Sequence, residues 1–410
     1  MAEPAATAAT VAGVVASTLS ISVVIPCLNE EAAVGEVVDQ AWEGIRAAGR
    51  PGEVIVVDNG STDRSAEIAA GHGATVVLEE RRGYGSAYLA GLAHAKGEFI
   101  VMGDADETYP MRELAPFVDR LVAGDDLVIG SRFAGTIHGD AMPWLNRNVG
   151  NPILTRMLNV MFGVKISDAH CGMRALRKDA LRTLDLHSTG MEFASEMVFK
   201  AFRRELTVSE IPIDYYPRVG ESKLNRLDDA WRHVRFMLLY SPRWLFLLPG
   251  LLLTVLGLAG MLLLAGGPID VLGRTWQIHT MLALVASTLI GAQILQLWVF
   301  ARTYGRIHFG EPDPLVERLG RHVTLERGLL AGAALCVIAL VALGAIVIPW
   351  LVSGLGELRH EYATALALTL LGLGTQIVFG SFFMSLLTMR TTDEAPTGVV
   401  VHVGRPPAAG

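Results

Sequence analysis

Two hydrophobic rhythms divide the chain. From about residue 20 to 240, short β-branched runs alternate with amphipathic stretches, whereas from 244 to 388 apolar residues continue in long blocks. In the first part, Ile21–Pro26, Val54–Asp58, Thr75–Leu78, Glu98–Met102 and Asp126–Gly130 read as buried strands, bounded by Pro, Gly or polar clusters. Helical patterns lie between them. One opens at Asn29 and runs to about Ala48, with Asn29 expected as its cap; a second follows Asn59–Asp63, with Ser61 or Thr62 as the expected cap. A third, of small residues, runs from Gly83 to about Ala95. Strands alternating with helices at this spacing predict an α/β fold with a mainly parallel sheet.

The long apolar blocks lie at about 244–265, 278–300, 329–352 and 363–387, each long enough to cross a bilayer core that takes about 20 helical residues. Arg302, Arg306, Arg318 and Arg321, with Arg327 just beyond, crowd the loop between the second and third blocks. The positive-inside bias places that loop, the N-terminal domain and the C-terminus in the cytoplasm of an integral membrane protein, expected in the plasma membrane. Asp228–Tyr240 is amphipathic and leads to Arg243-Trp244, which suits an interfacial helix; a domain-core helix is the competing reading. Gln293, Gln296 and Gln376 sit inside the apolar blocks and are expected to join helices rather than hold a substrate. The expected layout is a disordered leader over 1–19, an α/β domain over 20–227, an interfacial helix over 228–243, four transmembrane helices over 244–388 and a disordered tail over 389–410.

Composition agrees, with 51% hydrophobic and only 18% charged residues. A net charge of −7 argues against a nucleic-acid partner. The cysteines, Cys27, Cys171 and Cys336, have no metal-ligand spacing and are expected to be free thiols.

Chemistry concentrates where Phe99–Gly103 gives way to Asp104-Ala105-Asp106. Ligands of open parallel sheets collect at the carboxyl ends of the strands, and Asp-x-Asp there can hold a divalent cation on hard oxygens. A turn with two solvated acids is the competing reading. Arg81 and Arg82 are either a solvated pair or neighbours of a phosphate. Glu192 and Glu196 share a helix face and could equally touch a ligand or cap and solvate. For Asp168, the competing reading is a structural ion pair with Arg174.

VVIPCLNEE, VDNGSTD, GYGSA and DADETYP occur in that order at the strand ends. Together they resemble the nucleotide-sugar domain of family 2 glycosyltransferases, most of all the enzymes that make polyprenyl-phosphate sugars, such as dolichyl-phosphate mannose synthase. The likeness covers about residues 20–240. It implies a GT-A type domain followed by an α-helical membrane domain. It also implies a nucleotide-sugar site formed by Pro26, Glu30, Asp58, Asp104, Ala105, Arg218 and Lys223, the last two on a mobile segment that closes over the donor diphosphate. Asp106 would be a direct ligand of Mg²⁺ or Mn²⁺, with Asp104 nearby. Thr108 stands where the mannose synthases often place a Gln that reaches the metal, and Leu28 replaces their usual aromatic residue. Arg132 and Arg147 would contact the acceptor phosphate, and Asp168 occupies the place of a catalytic carboxylate.

The leading expectation is an inverting, metal-dependent hexosyltransferase that moves sugar from a UDP- or GDP-linked donor to a polyprenyl or dolichyl phosphate at the cytoplasmic face. An acceptor phosphate is already ionised at neutral pH, its second pKa lying near about 6, so no strong base is required. A hydroxyl acceptor, on a glycolipid or polysaccharide, would require one. Processive synthases carry Gln-x-x-Arg-Trp, and Tyr240 stands where that Gln would be. A non-catalytic nucleotide-binding scaffold or flippase is the reading from another class. Membrane lipid is an expected partner, and a homo-oligomer is left open.

Overall fold

The computed structural model describes residues 20–220, 226–309, 318, 324–355 and 360–388. The leader over 1–19, the tail over 389–410, Lys223 and Arg321 therefore lie outside the described residues. The chain divides into two compact units, Met1–Ser241 and Pro242–Gly410.

In the first unit the elements alternate as β1 (Ile21–Cys27), α1 (Val34–Ala47), β2 (Gly52–Asp58), α2 (Ser65–Gly71), β3 (Thr75–Leu78), α3 (Tyr84–His94), β4 (Phe99–Met102), α4 (Ala115–Val122) and β5 (Leu127–Ser131). Then follow α5 (Asn151–Phe162), β6 (Arg174–Arg177), α6 (Lys178–Leu184), α7 (Phe193–Arg203), β7 (Val208–Pro212) and α8 (Arg226–Leu239). The strands form one sheet in the order β3-β2-β1-β4-β6-β5-β7. All neighbours are parallel except β6, which runs antiparallel to β4 and β5. This is the mainly parallel α/β sheet expected of a GT-A type domain. The central strands are mostly apolar because helices cover both faces, and Ile21, Val23, Val24, Ile25, Val56, Val57, Ile100 and Val101 are fully buried. Since β1, β2 and β4 are adjacent and parallel, their carboxyl ends open on one edge.

Two expected caps do not form. The first helix starts at Val34 rather than beside Asn29, whose backbone is left-handed (φ 52°). Asn29 instead clasps the neighbouring loop: its N–H donates to Ser61 Oγ at 2.9 Å and its Oδ1 accepts from Thr62 N at 2.7 Å. The second helix begins at Ser65, and Asp63 Oδ1, not Ser61 or Thr62, accepts the Ser65 N–H at 3.0 Å.

Helix α8 buries His233, Phe236 and Met237 and leaves Trp231, Arg232, Arg235 and Leu239 exposed. Its inner side belongs to the core of the first unit, with the Phe236 ring edge-on to Phe199 of α7.

The second unit holds α9 (Leu248–Leu264), a hairpin of β8 (Ile269–Val271) and β9 (Arg274–Trp276), α10 (Ile278–Phe309), α11 (Leu325–Val352) and α12 (Glu361–Thr388). Among the described residues four helical stretches, Arg243–Leu264, Ile278–Ile307, Leu325–Val352 and Glu361–Thr388, are long and apolar enough to span a membrane. Small residues set the spacing where α11 meets α12. A Cβ on Gly332 would stand 2.8 Å from the Gly374 carbonyl oxygen, and one on Gly374 would stand 2.8 Å from that of Gly332. Gln376 Nε2 donates to the Leu289 carbonyl at 3.4 Å, joining α12 to α10 as expected.

Candidate active site

The site starts at the end of β4, where the chain leaves the core carrying two carboxylates. Neither is a solvated turn acid. Tyr84 and Tyr88 stand one helical turn apart on α3: the Tyr84 hydroxyl donates to Asp104 Oδ1 at 3.1 Å, and the Tyr88 hydroxyl donates to the Gly103 carbonyl at 3.1 Å with the same Asp104 oxygen 3.4 Å away. Burial, and then negative neighbours, push both phenols well above their ordinary pKa, so they remain hydrogen-bond donors. The Tyr88 ring is fixed by stacking on Phe193 at 5.5 Å. Burial, and next the charge of Asp106, push the Asp104 carboxyl up to about 7. Asp106 Oδ1 accepts from Thr108 Oγ1 at 2.6 Å, so Thr108 aims the carboxylate. Ala105 between them is buried.

A strap from Asp214 to Gly220 crosses this loop. Tyr216 N donates to the Thr108 carbonyl at 3.0 Å and Val219 N to the Asp106 carbonyl at 3.1 Å. These bonds place Arg218 between two acids: its Nη1 lies 3.2 Å from Asp106 Oδ2, and its Nη2 pairs with Glu30 Oε1. Two residues that stand 188 apart in sequence, Glu30 and Arg218, thereby meet over the end of β4.

The ends of β1 and β2 border the same edge. Glu30 is buried, with its N–H donating to Ser65 Oγ at 2.8 Å. Asp58 is buried and accepts the Ser61 N–H at 2.9 Å, and Pro26 is half-buried within β1. Asn59 ties the neighbouring loops together, donating to the carbonyls of Glu79 and Arg81 and accepting from Gly83 N, each at 2.8 Å. The sequence reading did not single out Asn59, Tyr84 or Tyr88, although the four-residue spacing of the tyrosines was visible. Arg81 pairs with Glu79 at 3.0 Å and is exposed, which matches the solvated-pair reading.

Farther along the sheet, Arg132 leaves the end of β5 and is 6% exposed. It makes a two-pronged ion pair with the fully buried Asp168, Nε to Oδ2 at 2.7 Å and Nη2 to Oδ1 at 2.8 Å. Its backbone N–H adds a third bond to Oδ2 at 3.1 Å, and the Tyr215 ring lies 5.3 Å from the guanidinium carbon. Asp168 therefore pairs with Arg132 and not with Arg174. Arg174 is buried too, but donates at 2.8 Å to the carbonyls of Cys171, Ala194 and Ala169. Glu210 of β7 holds the Asp168 loop by accepting the N–H groups of Ser167 and Asp168, at 2.8 and 3.2 Å. Arg147 is placed differently, exposed on the helical turn Asn146–Gly150 beside exposed Trp144 and Leu145. Glu196 is buried, caps the N–H of Ser188 at 2.8 Å and pairs with Lys200 at 2.8 Å, a structural role.

For a divalent cation, the chain offers hard oxygens from Asp104 and Asp106. Among the described residues no group of three or more His, Cys, Asp or Glu converges on one point. A pair of carboxylates, one of them raised by burial and next by the charge of the other, fits a cation that takes its other ligands from a phosphate-bearing substrate.

Residues 22–185 match the family described as glycosyl transferase family 2, and residues 299–388 match the glycosyltransferase family 2 C-terminal transmembrane region. The low-salt glycan biosynthesis hexosyltransferase Agl6 of Haloferax volcanii is 40% identical over 369 residues, 90% of this chain and 89% of that one. A dolichyl-phosphate hexose transferase of the same organism is 37% identical over 50% of this chain and 86% of its own. An undecaprenyl-phosphate 4-deoxy-4-formamido-L-arabinose transferase of Edwardsiella ictaluri is 29% identical over 70% of this chain and 89% of its own.

Proposed function

The chain belongs to glycosyltransferase family 2, and on that footing we propose that it moves a hexose from a UDP- or GDP-linked donor to a polyprenyl phosphate, inverting the anomeric carbon. It is a membrane glycosyltransferase. The acceptor is favoured by one observation above the rest. Asp168, which the family resemblance puts in the place of a catalytic carboxylate, is fully buried and held on both oxygens by Arg132. Oδ1 accepts from Arg132 Nη2 and the His170 N–H and Oδ2 from Arg132 Nε and N–H, so its lone pairs are already engaged, and an acceptor phosphate, ionised at neutral pH, needs no base. The names of the relatives above support the same class of acceptor.

In this reading Pro26, Glu30, Asp58 and Ala105 line the nucleoside side of the site, and Asp104 and Asp106 face the diphosphate. A divalent cation bound by these two would neutralise charge on the leaving diphosphate. Arg218, already held over Asp106, adds a cation on the same side, and Lys223 is proposed to follow it. Arg132 and Asp168 act as one unit on the acceptor side, Asp168 orienting rather than deprotonating. Exposed Arg147, with Trp144 and Leu145 beside it, suits a phosphate headgroup next to an apolar tail. The Arg-rich loop after the second span supports a cytoplasmic site.

The test uses the purified full-length protein in detergent with polyprenyl phosphate, Mg²⁺ or Mn²⁺, and a panel of nucleotide hexoses. One donor should yield nucleoside diphosphate and a lipid-linked sugar, and both should vanish with chelator and in Asp106→Ala. Nucleotide binding without turnover on any donor would overturn the proposal.

A further inference from the structure

One polar cluster of the first unit takes no part in the site described above. His170 follows Asp168 by two residues, on the same loop, and its ring lies edge-on to His233 of α8, with centroids 4.5 Å apart. The hydroxyl of Ser195 on α7 stands between them, 2.9 Å from His233 Nδ1 and 3.3 Å from His170 Nε2. Ser195 is fully buried and His233 nearly so. Burial is the first cause that lowers both imidazoles, His233 to about 4 and His170 well below its ordinary value, so both rings are neutral at physiological pH. A hydroxyl can donate to one neutral ring while accepting from the other, which makes a continuous chain from α8 through Ser195 to His170.

The cluster carries an uncompensated polar atom. His170 Nδ1 is buried with no hydrogen-bond partner among the described residues, which is a cost that an apolar side chain would not carry. The His170 ring is therefore oriented by Ser195 and by its contact with His233. Its backbone N–H, in turn, donates to Asp168 Oδ1 at 3.3 Å, the oxygen that also accepts from Arg132 Nη2. The other end of the chain is equally placed. Only Tyr240, Ser241 and Pro242 stand between α8 and the first membrane-spanning stretch, Arg243–Leu264.

We propose that His233, acting through Ser195 and His170, is a positioning residue for the Asp168–Arg132 pair, tying acceptor use to the seating of α8 in the first unit. The link adjusts the acceptor side and leaves the donor side alone, since among the described residues no hydrogen bond joins it to Asp104, Asp106 or Arg218. The inference rests on the reading of Asp168–Arg132 as the acceptor side.

The experiment measures KM for polyprenyl phosphate and for the nucleotide sugar, together with kcat and Tm, in full-length His233→Ala, Ser195→Ala, the double variant and His233→Asn. His233→Ala and Ser195→Ala should each raise the acceptor KM about tenfold with the donor KM within twofold of the parent, and the double variant should do no worse than either. His233→Asn, which keeps a hydrogen-bonding group near the Nδ1 position, should recover most of the loss. Acceptor and donor KM unchanged, or both worsening in step with a falling Tm, would overturn the inference. Asp168→Asn, measured alongside, separates the two failures. If it alters acceptor KM or kcat while His233→Ala does not, the link is wrong and the acceptor-side reading stands. If Asp168→Asn is without effect, that reading itself fails.

Discussion

Asp168→Asn offers a quantitative check on the acceptor side. The substitution removes one charge from a pair in which Arg132 is 8% and Asp168 0% exposed at the side chain. Arg132 would keep its charge but lose the ionised partner of its Nε, Nη2 and backbone N–H. Breaking a buried ion pair from one side costs about 3–5 kcal/mol, because the remaining charge stays desolvated. For a unit of roughly this size each kcal/mol moves the midpoint by about 2–4 °C, so the melting transition of the first unit should fall by about 6–20 °C. Arg132→Met should do the same from the other side. The double variant Arg132→Met/Asp168→Leu leaves no unpaired charge and should lose clearly less than the two singles combined. Calorimetry on the full-length protein in detergent follows the transition. A loss under about 2 °C in Asp168→Asn, or singles that simply add in the double variant, would refute the reasoning from the buried pair.

Three further outcomes follow from the geometry. Gly172→Ala sets a Cβ 2.8 Å from Asp104 Oδ2 and 2.9 Å from the Tyr109 ring, so it should displace the carboxylate and cut divalent-cation-dependent activity by tenfold or more (~1.4 kcal/mol), as read by metal titration of turnover. Arg218→Ala leaves Asp106 and Glu30 facing each other without their shared cation and should raise the donor KM at least about tenfold while leaving the acceptor KM unchanged, as steady-state kinetics would show. Cys27 and Cys171 are buried, and burial pushes both thiols up to about 12, so neither should react with a thiol reagent at pH 8 until the first unit is denatured; rapid labelling of either in the native protein contradicts the packing.

The sequence makes the parallel core legible because strands buried on both faces read as near-continuous apolar runs, as Val23–Ile25 and Val54–Val57 do. It does not disclose β6, four residues with an Arg at each end, whose Arg174 is buried only because backbone carbonyls surround it. The Asp-x-Asp element is visible as a pattern, but the hydroxyls that aim it come from α3 and from Thr108. Asp168 illustrates the limit most clearly. Arg174 is near in sequence and Arg132 is 36 residues away, yet the fold brings the loop of Asp168 against the end of β5, where the distant partner stands. Asn29 shows the same limit at a helix start, where a residue suited to capping is used to clasp Ser61 and Thr62 of the adjacent loop. Local pattern specifies what an element is; which polar groups meet across elements depends on the assembled sheet.

The central claim is that the acceptor is a phosphate. It is tested most directly by comparing polyprenyl phosphate with the unphosphorylated polyprenol of the same length, at saturating donor, following nucleoside diphosphate release and lipid-linked product. The account predicts turnover with the phosphate and none above background with the alcohol. Comparable turnover with the alcohol would mean that a base deprotonates the acceptor, and it would contradict the role assigned to Asp168.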